Sequence, residues 1–159
     1  MTDQEKSAAG PSSQAGITVS LEWAKKLKES GYPQDVPEEF GDEQSRWWCQ
    51  YDDDEPTLLW LQSDGFNDND THGEDEECKV LYKSPFAEEI LRRLPWKIQN
   101  DGNAFFLRVE PYNDSLDVLS WRVVYPNLHS FTNIDKSLAN AAAAMWCYLK
   151  ENDLISPKP

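Results

Sequence analysis

The stretch that decides the fold is the C-terminal segment Asp135–Glu151, which reads DKSLANAAAAMWCYLKE. Residues 139–144 are small and are interrupted only by Asn140. One helix face is marked by apolar side chains at helical spacing, which are Leu138, Ala142, Met145 and Leu149. Because small side chains let a helix approach a sheet closely, we predict a long helix over 136–151, capped by Asp135 and buried on strands.

The sequence before this helix predicts an antiparallel meander of three strands. Trp96–Gln99 and Ala104–Glu110 flank Asn100–Asn103, whose Asp-Gly pair supplies the positive φ values of a tight hairpin turn. Leu119–Tyr125 is the third strand of the meander. The predicted fold class is therefore α+β, with the meander packed against the C-terminal helix.

The N-terminal half predicts two short helices and three further strands. Ser20 is placed to cap a helix over Leu21–Ser30, and Gly31 is placed to end it. Ser84-Pro85 predicts the start of a second helix, with the hydroxyl as its cap. Residues 62–77 are predicted to form an exposed loop. The apolar runs that predict strands are Trp47–Tyr51, Thr57–Leu61 and Lys79–Tyr82.

The 159 residues suffice for one domain. We predict a disordered tail over 1–16, a single domain over 17–154 with an acidic insertion at 52–77, and a short tail over 155–159. No run of apolar residues is long enough to span a membrane, and the N-terminus lacks the pattern of a secretory signal. Three cysteines are an odd, sparse set, which favours reduced thiols and a cytoplasmic protein.

The negative charge is confined to one quarter of the chain. The net charge is −14, while residues 35–77 hold sixteen acidic side chains against Arg46 alone, which sums to −15. Residues 1–34 sum to zero and residues 78–159 to +1. This balance excludes strong non-specific binding to nucleic acid or to an anionic membrane.

The acidic segment has two interpretations. Asp52–Glu77 holds eleven carboxylates and no Lys or Arg, which is typical of a solvated loop that keeps a protein in solution. The same density of charge, interleaved with aromatic side chains, is also suited to imitating a phosphate backbone and docking in the basic groove of a protein partner. The candidate partner-binding residues are Asp52, Asp53, Asp54, Glu55, Trp60, Asp64, Phe66, Asp68, Asp70, Glu74, Asp75, Glu76 and Glu77.

Other motifs are weak, and we assign no catalytic residue, metal or cofactor. Asp68–Gly73 resembles the start of a calcium-binding loop, but His72 and Lys79 stand where oxygen ligands are needed. The cysteines and histidines lack the spacing of a zinc site. Two alternative functions stay open: an accessory protein with an apolar aromatic interface, and a hydrolase or transferase with a site around Arg108, Arg122, Tyr125 and His129.

Both ends of the chain resemble small uncharacterised proteins encoded in bacteriophage and prophage genomes. The likeness covers about residues 20–50 and 96–154 and departs at the acidic middle. It is carried by Ser20–Gln34 (SLEWAKKLKESGYPQ), Trp47-Trp48, Trp121–Val123, Lys136–Ala141 and Leu149–Asn152. The resemblance implies a phage or bacterial cytoplasmic setting. By analogy with short acidic proteins in that setting, it also suggests an inhibitor of a host nucleic-acid-binding or defence complex.

Overall fold

The computed structural model describes residues 17–35, 45–52, 54–62, 65–67, 78–113, 119–128 and 133–155. These residues form three α-helices and nine β-strands in three antiparallel sheets, which confirms the predicted α+β class. In chain order the elements are α1 (Leu21–Glu29), β1 (Ser45–Tyr51), β2 (Thr57–Gln62), β3 (Gly65–Asn67), β4 (Cys78–Lys83), α2 (Ala87–Arg93), β5 (Lys97–Asn100), β6 (Asn103–Phe106), β7 (Arg108–Asn113), β8 (Leu119–Val124), β9 (Ile134–Asp135) and α3 (Leu138–Glu151).

Helix α3 is the centre of the structure. It contacts α1, α2, β8 and β9, so it is covered on more sides than the single apolar stripe predicted. Its small side chains permit this, because helices and strands can approach a backbone that carries little side-chain volume. The buried residues of α3 are Ala139, Ala141, Ala142, Ala143, Ala144, Met145, Trp146, Cys147 and Leu149.

The predicted cap of α3 was wrong by two residues. Ser137 is the N-cap, and its hydroxyl accepts the backbone N–H of Asn140 at 3.3 Å. Asp135 lies instead on β9, where its carboxylate accepts the N–H of Ser137 at 2.8 Å. The sequence offers two good capping residues here, and strand pairing with β8 places Asp135 outside the helix.

Helix α1 begins as predicted and ends at Glu29, one residue before the predicted end. The Ser20 hydroxyl accepts the N–H of Trp23, and Gly31 adopts a positive φ of 79° after the helix. The N–H of Ser20 in turn donates to the side-chain oxygen of Asn140 at 2.9 Å. The one polar residue in the small run of α3 therefore fixes the start of α1.

The predicted cap of α2 was also wrong. Phe86 is the N-cap and makes no side-chain capping bond. Ser84 is fully buried, and its hydroxyl donates to the Val19 carbonyl at 2.7 Å. The Pro85 carbonyl accepts the N–H of Val19 at 3.2 Å, and Thr18 pairs with Phe86. The Ser84 hydroxyl, which the sequence pattern assigns to the helix cap, therefore makes a long-range hydrogen bond with Val19 instead.

The first sheet has the strand order β3-β2-β1-β4. The strand β3 corrects our prediction of a loop throughout 62–77, because Gly65–Asn67 pairs with the end of β2. Strand β4 has a register shift opposite Trp48–Cys49, and the Lys28 ammonium donates to the Leu81 carbonyl there at 3.0 Å. Helix α1 is thereby tied to this sheet.

The predicted meander is divided between two sheets. Strands β5 and β6 form the expected hairpin, with Asp101 and Gly102 at φ values of 47° and 79°. Leu107 interrupts the long strand predicted over 104–110, and β7 then pairs with β8 in a separate sheet. That sheet is completed by β9, which pairs with β8 through Trp121 and Arg122.

We expect the small side chains of α3 to be required for stability. Ala142 is fully buried, so Ala142→Leu should lower the free energy of unfolding by about 1–3 kcal/mol through overpacking. Urea unfolding followed by circular dichroism measures the change. The control is Glu151→Leu, which adds the same side chain at an exposed position of the same helix and should change stability by less than about 0.5 kcal/mol. Equal stability of the two variants would contradict the packing described here.

Candidate partner-binding surface

The turn between β1 and β2 is the best-defined part of the acidic segment. Asp52, Asp54 and Glu55 are exposed on it. The Tyr51 carbonyl accepts the N–H of Asp54 at 2.9 Å, and the Asp54 carbonyl accepts the side-chain amide of Gln50 at 2.8 Å. These bonds hold the backbone of the turn in place, so the three carboxylates project from a defined position.

Asp52 gives the turn its sharp change of direction. Its φ is 42°, in the left-handed region that Asp and Asn tolerate better than most residues. The Thr57 hydroxyl donates to the Glu55 carbonyl at 3.4 Å on the far side of the turn. The sequence of the turn therefore serves its geometry as well as its charge.

A small buried cluster on β1 and β2 supports the turn that joins these two strands. Trp47, Cys49 and Tyr51 alternate along β1, so their side chains lie on one face of the sheet, and Leu59 of β2 joins them. All four residues are buried. Carboxylates mounted on such a rigid element keep their spacing, which a partner surface of fixed shape requires.

Within the described ranges, the carboxylates of the turn are not neutralised by the protein's own cations. Among the described residues, no ion pair involves Asp52, Asp54 or Glu55. The ion pairs of the described part join Lys26 to Glu22, Lys83 to Glu89, Arg92 to Glu88 and Arg122 to Glu110. The turn therefore presents its negative charge to solvent.

Arg46 is the only basic residue of 35–77, and it is used by the fold. Its guanidinium is buried and donates to the hydroxyl of Thr18 at 3.5 Å, while its carbonyl accepts the N–H of Ser84 at 2.8 Å. Burial lowers the pKa of Arg46, but a guanidinium remains protonated at neutral pH. Arg46 therefore joins β1 to residues 18 and 84.

The structure places two of the predicted aromatic residues on paired strands. Trp60 of β2 is opposite Asn67, and Phe66 of β3 is opposite Leu61. The pairing brings the backbones of Trp60 and Phe66 together beyond the acidic turn. The calcium-like stretch over 68–73 lies outside the described residues, and so do the candidates Asp53, Asp64, Asp68, Asp70, Glu74, Asp75, Glu76 and Glu77.

The residues of the alternative enzyme site lie in different environments. Arg108 is exposed, while Arg122 is half-buried and its guanidinium pairs with Glu110 across the β7–β8 ladder. Tyr125 belongs to the main core, and its hydroxyl donates to the Pro95 carbonyl. His129 lies outside the described residues. Arg108 is opposite Val124 and Arg122 is opposite Glu110 in the β7–β8 ladder, whereas the Tyr125 side chain is buried.

Cys49 and Cys147 are buried and neither forms a disulfide, which agrees with the reduced thiols that the sequence predicts. Burial raises the pKa of Cys147, so this thiol stays protonated at neutral pH and is a poor nucleophile. Within the described ranges, no three or more His, Cys, Asp and Glu side chains are grouped so as to hold a metal ion.

Sequence analysis missed an exposed aromatic pair. Trp96 and Phe106, at the base of the β5–β6 hairpin, have ring centroids 5.6 Å apart. Trp96 is the most exposed large apolar side chain of the described residues. The signal in the sequence is its position between Pro95, which ends the helix, and Lys97, which begins a strand. The side chains of a strand alternate between its inward and outward faces. An apolar residue just before the strand does not have to follow this alternation and can be exposed.

Searches against protein-family models, curated proteins and solved structures found no match to this chain. In the described part of the chain, no helix has the length and apolar character needed to cross a membrane. The function must therefore be argued from the surfaces described above.

We expect Tyr125 to be a structural residue whose burial makes the fold sensitive to alkali. Burial raises its pKa above the ordinary value of 10.0, so the unfolded phenol loses its proton first as the pH rises. Tyr32 is shifted in the same direction. Stability should then fall above pH 10, and each phenol contributes up to about 1.4 kcal/mol per pH unit to the slope.

Tyr125→Phe should lose roughly 1 kcal/mol at pH 8 with the bond to Pro95, and its stability should fall less steeply above pH 10. Urea unfolding at a series of pH values measures both effects. The control is Tyr112→Phe, which changes an exposed phenol of β7. Parallel slopes for wild type and Tyr125→Phe would show that the Tyr125 phenol titrates alike in the folded and unfolded states.

Proposed function

We propose that this protein is a non-enzymatic binding protein that engages a basic surface of a protein partner through its acidic segment. The observation that carries the proposal is the β1–β2 turn. Asp52, Asp54 and Glu55 are exposed, are held by backbone hydrogen bonds, and have no ion pair within the described part of the chain. Opposite charge on a partner would steer the encounter, and aromatic side chains of the segment, Trp60 and Phe66, would anchor the complex.

The partner that suits this surface best is a protein that ordinarily binds nucleic acid. Such proteins present grooves lined with Lys and Arg that match the dense charge of a phosphate backbone. The segment 52–77 carries eleven carboxylates with no compensating base, and the described turn holds the first of them at fixed positions. An acidic protein that occupies the groove would exclude nucleic acid, which is the action of an inhibitor.

We also propose that the protein acts in a phage setting and that its target is a host defence complex. Both proposals rest on the resemblance of residues 20–50 and 96–154 to phage-encoded proteins. A direct role in binding nucleic acid or lipid headgroups is disfavoured by the net charge of −14, since both are polyanions.

The acidic turn can be tested without disturbing the fold. The variant Asp52→Asn, Asp54→Asn and Glu55→Gln removes three charges, and Asn tolerates the positive φ of position 52. We expect its affinity for a partner captured from bacterial lysate to fall at least about tenfold at low salt. Salt dependence of binding should also weaken, because fewer charges interact. Calorimetry with the purified partner measures both quantities.

A second variant controls for the loss of charge alone. Glu29→Gln, Asp101→Asn and Asp153→Asn also removes three exposed carboxylates, and positions 101 and 153 have positive φ values that Asn tolerates. This variant has the same net charge as the first and should keep the affinity of the wild type. Equal losses in both variants would show that total charge, and not the turn, controls binding.

Competition distinguishes the nucleic-acid groove from other basic surfaces. If the acidic segment occupies that groove, double-stranded DNA should displace the protein from its partner, and the protein should displace DNA. Extending the neutralisation to Asp53, Asp70, Asp75 and Glu76 should abolish binding while the circular dichroism spectrum stays unchanged. A partner that binds this protein and DNA at the same time, or that keeps full affinity for the extended variant at every salt concentration, would refute the proposal.

A further inference from the structure

The β5–β6 hairpin carries an apolar surface that the fold does not use. Trp96 is 71% exposed and Phe106 is 49% exposed, although the two rings contact each other. Exposed aromatic groups of this size are uncommon on a folded domain and are typical of binding hot spots. The pair is too small to be a second core, so it needs a partner to be covered.

The exposure of Trp96 shows that its ring is turned away from the core. The N–H of Leu107 donates to the Trp96 carbonyl at 3.0 Å, so these two residues extend the β5–β6 ladder. Leu107 packs against the main core, whereas the ring of Trp96 lies beside Phe106. Phe106 is outside that core, while its neighbour Phe105 packs against it. The hairpin thus has an inward face and an outward face, with the aromatic pair on the outward one.

Two cations flank the aromatic pair. Lys97 is directly opposite Phe106 in the ladder, which places the two side chains on the same face. Arg108 is exposed two residues beyond Phe106. In the described part of the chain, neither cation forms an ion pair, even though the protein has 29 acidic residues. Unused cations beside exposed aromatic rings fit a ligand that carries both carboxylates and apolar groups.

We propose that Trp96, Phe106, Lys97 and Arg108 form a docking surface for an acidic peptide segment of a partner protein, one in which carboxylates alternate with aliphatic or aromatic side chains. The apolar side chains would cover the Trp96–Phe106 pair, and the carboxylates would meet the two cations. This hairpin surface is separate in sequence and in charge from the acidic turn at 52–55, and it does not depend on that turn having a partner.

Two other occupants fit the surface less well. A second copy joined across a two-fold axis would bring Lys97 and Arg108 against the same cations of its partner, and two chains of charge −14 repel each other. Single-stranded nucleic acid would stack on aromatic rings, but its extended phosphate backbone would be repelled by the rest of the protein. The hairpin belongs to residues 78–159, whose net charge is +1, so this part of the chain does not repel a short acidic peptide.

The test uses the full chain and a short synthetic peptide that alternates Glu with Leu and Phe. Calorimetry gives its dissociation constant. The indole N–H signal of Trp96, identified by its absence in Trp96→Phe, should shift in NMR spectra as peptide is added. We expect Trp96→Ala to weaken binding at least about tenfold, and Lys97→Glu with Arg108→Glu to do the same. Trp96 and Arg108 are exposed and Lys97 is half-buried, so the urea unfolding curves should stay close to that of the wild type.

Matched substitutions elsewhere serve as controls. Leu119→Ala removes an apolar side chain of similar exposure at the far end of the β7–β8 ladder, and Lys136→Glu reverses an exposed charge before α3. Both should bind the peptide as the wild type does. The variant Asp52→Asn, Asp54→Asn and Glu55→Gln should also bind it normally, which separates this surface from the proposed function.

Several outcomes would overturn the proposal. Unchanged affinity in Trp96→Ala would remove the aromatic pair as the anchor. Equal binding of a peptide with Lys in place of Glu would remove the role of the two cations. Binding of oligothymidylate that shifts the Trp96 signal, or a dimer in sedimentation equilibrium that Trp96→Ala abolishes, would identify nucleic acid or a second copy as the occupant instead.

Discussion

Close approach to the small side chains of α3 is the constraint on which the rest of the structure depends. Helices α1 and α2 and strand β8 all contact this helix, which is possible because Ala141 to Ala144 add little volume to its backbone. Asn140 supplies the one polar connection in this run, since it accepts the N–H of Ser20 and thereby aligns the start of α1. A larger side chain at these positions would separate elements that come from both halves of the chain.

The acidic turn and the hairpin surface are joined to the rest of the fold in different ways. The β1–β2 turn extends from a sheet with its own buried cluster around Trp47 and Leu59. This cluster supports the two strands of the turn against the mutual repulsion of its carboxylates. The β5–β6 hairpin is held to the main core by Ile98 and Phe105 on its inward face. Each surface therefore projects from a packed element, and each has a different charge.

Sequence patterns predicted what depends on local physics. The helical spacing in α3, the cap at Ser20 and the Asp101-Gly102 turn were all confirmed, because each is decided by neighbouring residues. The caps of α2 and α3 were wrong because tertiary contacts use Ser84 and Asp135 differently. In the candidate site, composition located the acidic segment and its charge. It could not show that the turn is fixed by hydrogen bonds, because a run of charged residues does not reveal whether residues 50–54 form these local bonds.

Several basic side chains of the protein are held by contacts with other parts of the fold. Lys83 is buried against Glu89 of α2, whose carboxylate also accepts the hydroxyl of Tyr32. Arg122 is held by Glu110, and Arg46 is buried beside Thr18. The Lys83–Glu89 pair is the most shielded of these, and removal of water strengthens the attraction between its two charges. Within the described part of the chain, none of these cations pairs with Asp52, Asp54 or Glu55, so their packing leaves the charge of the turn in place.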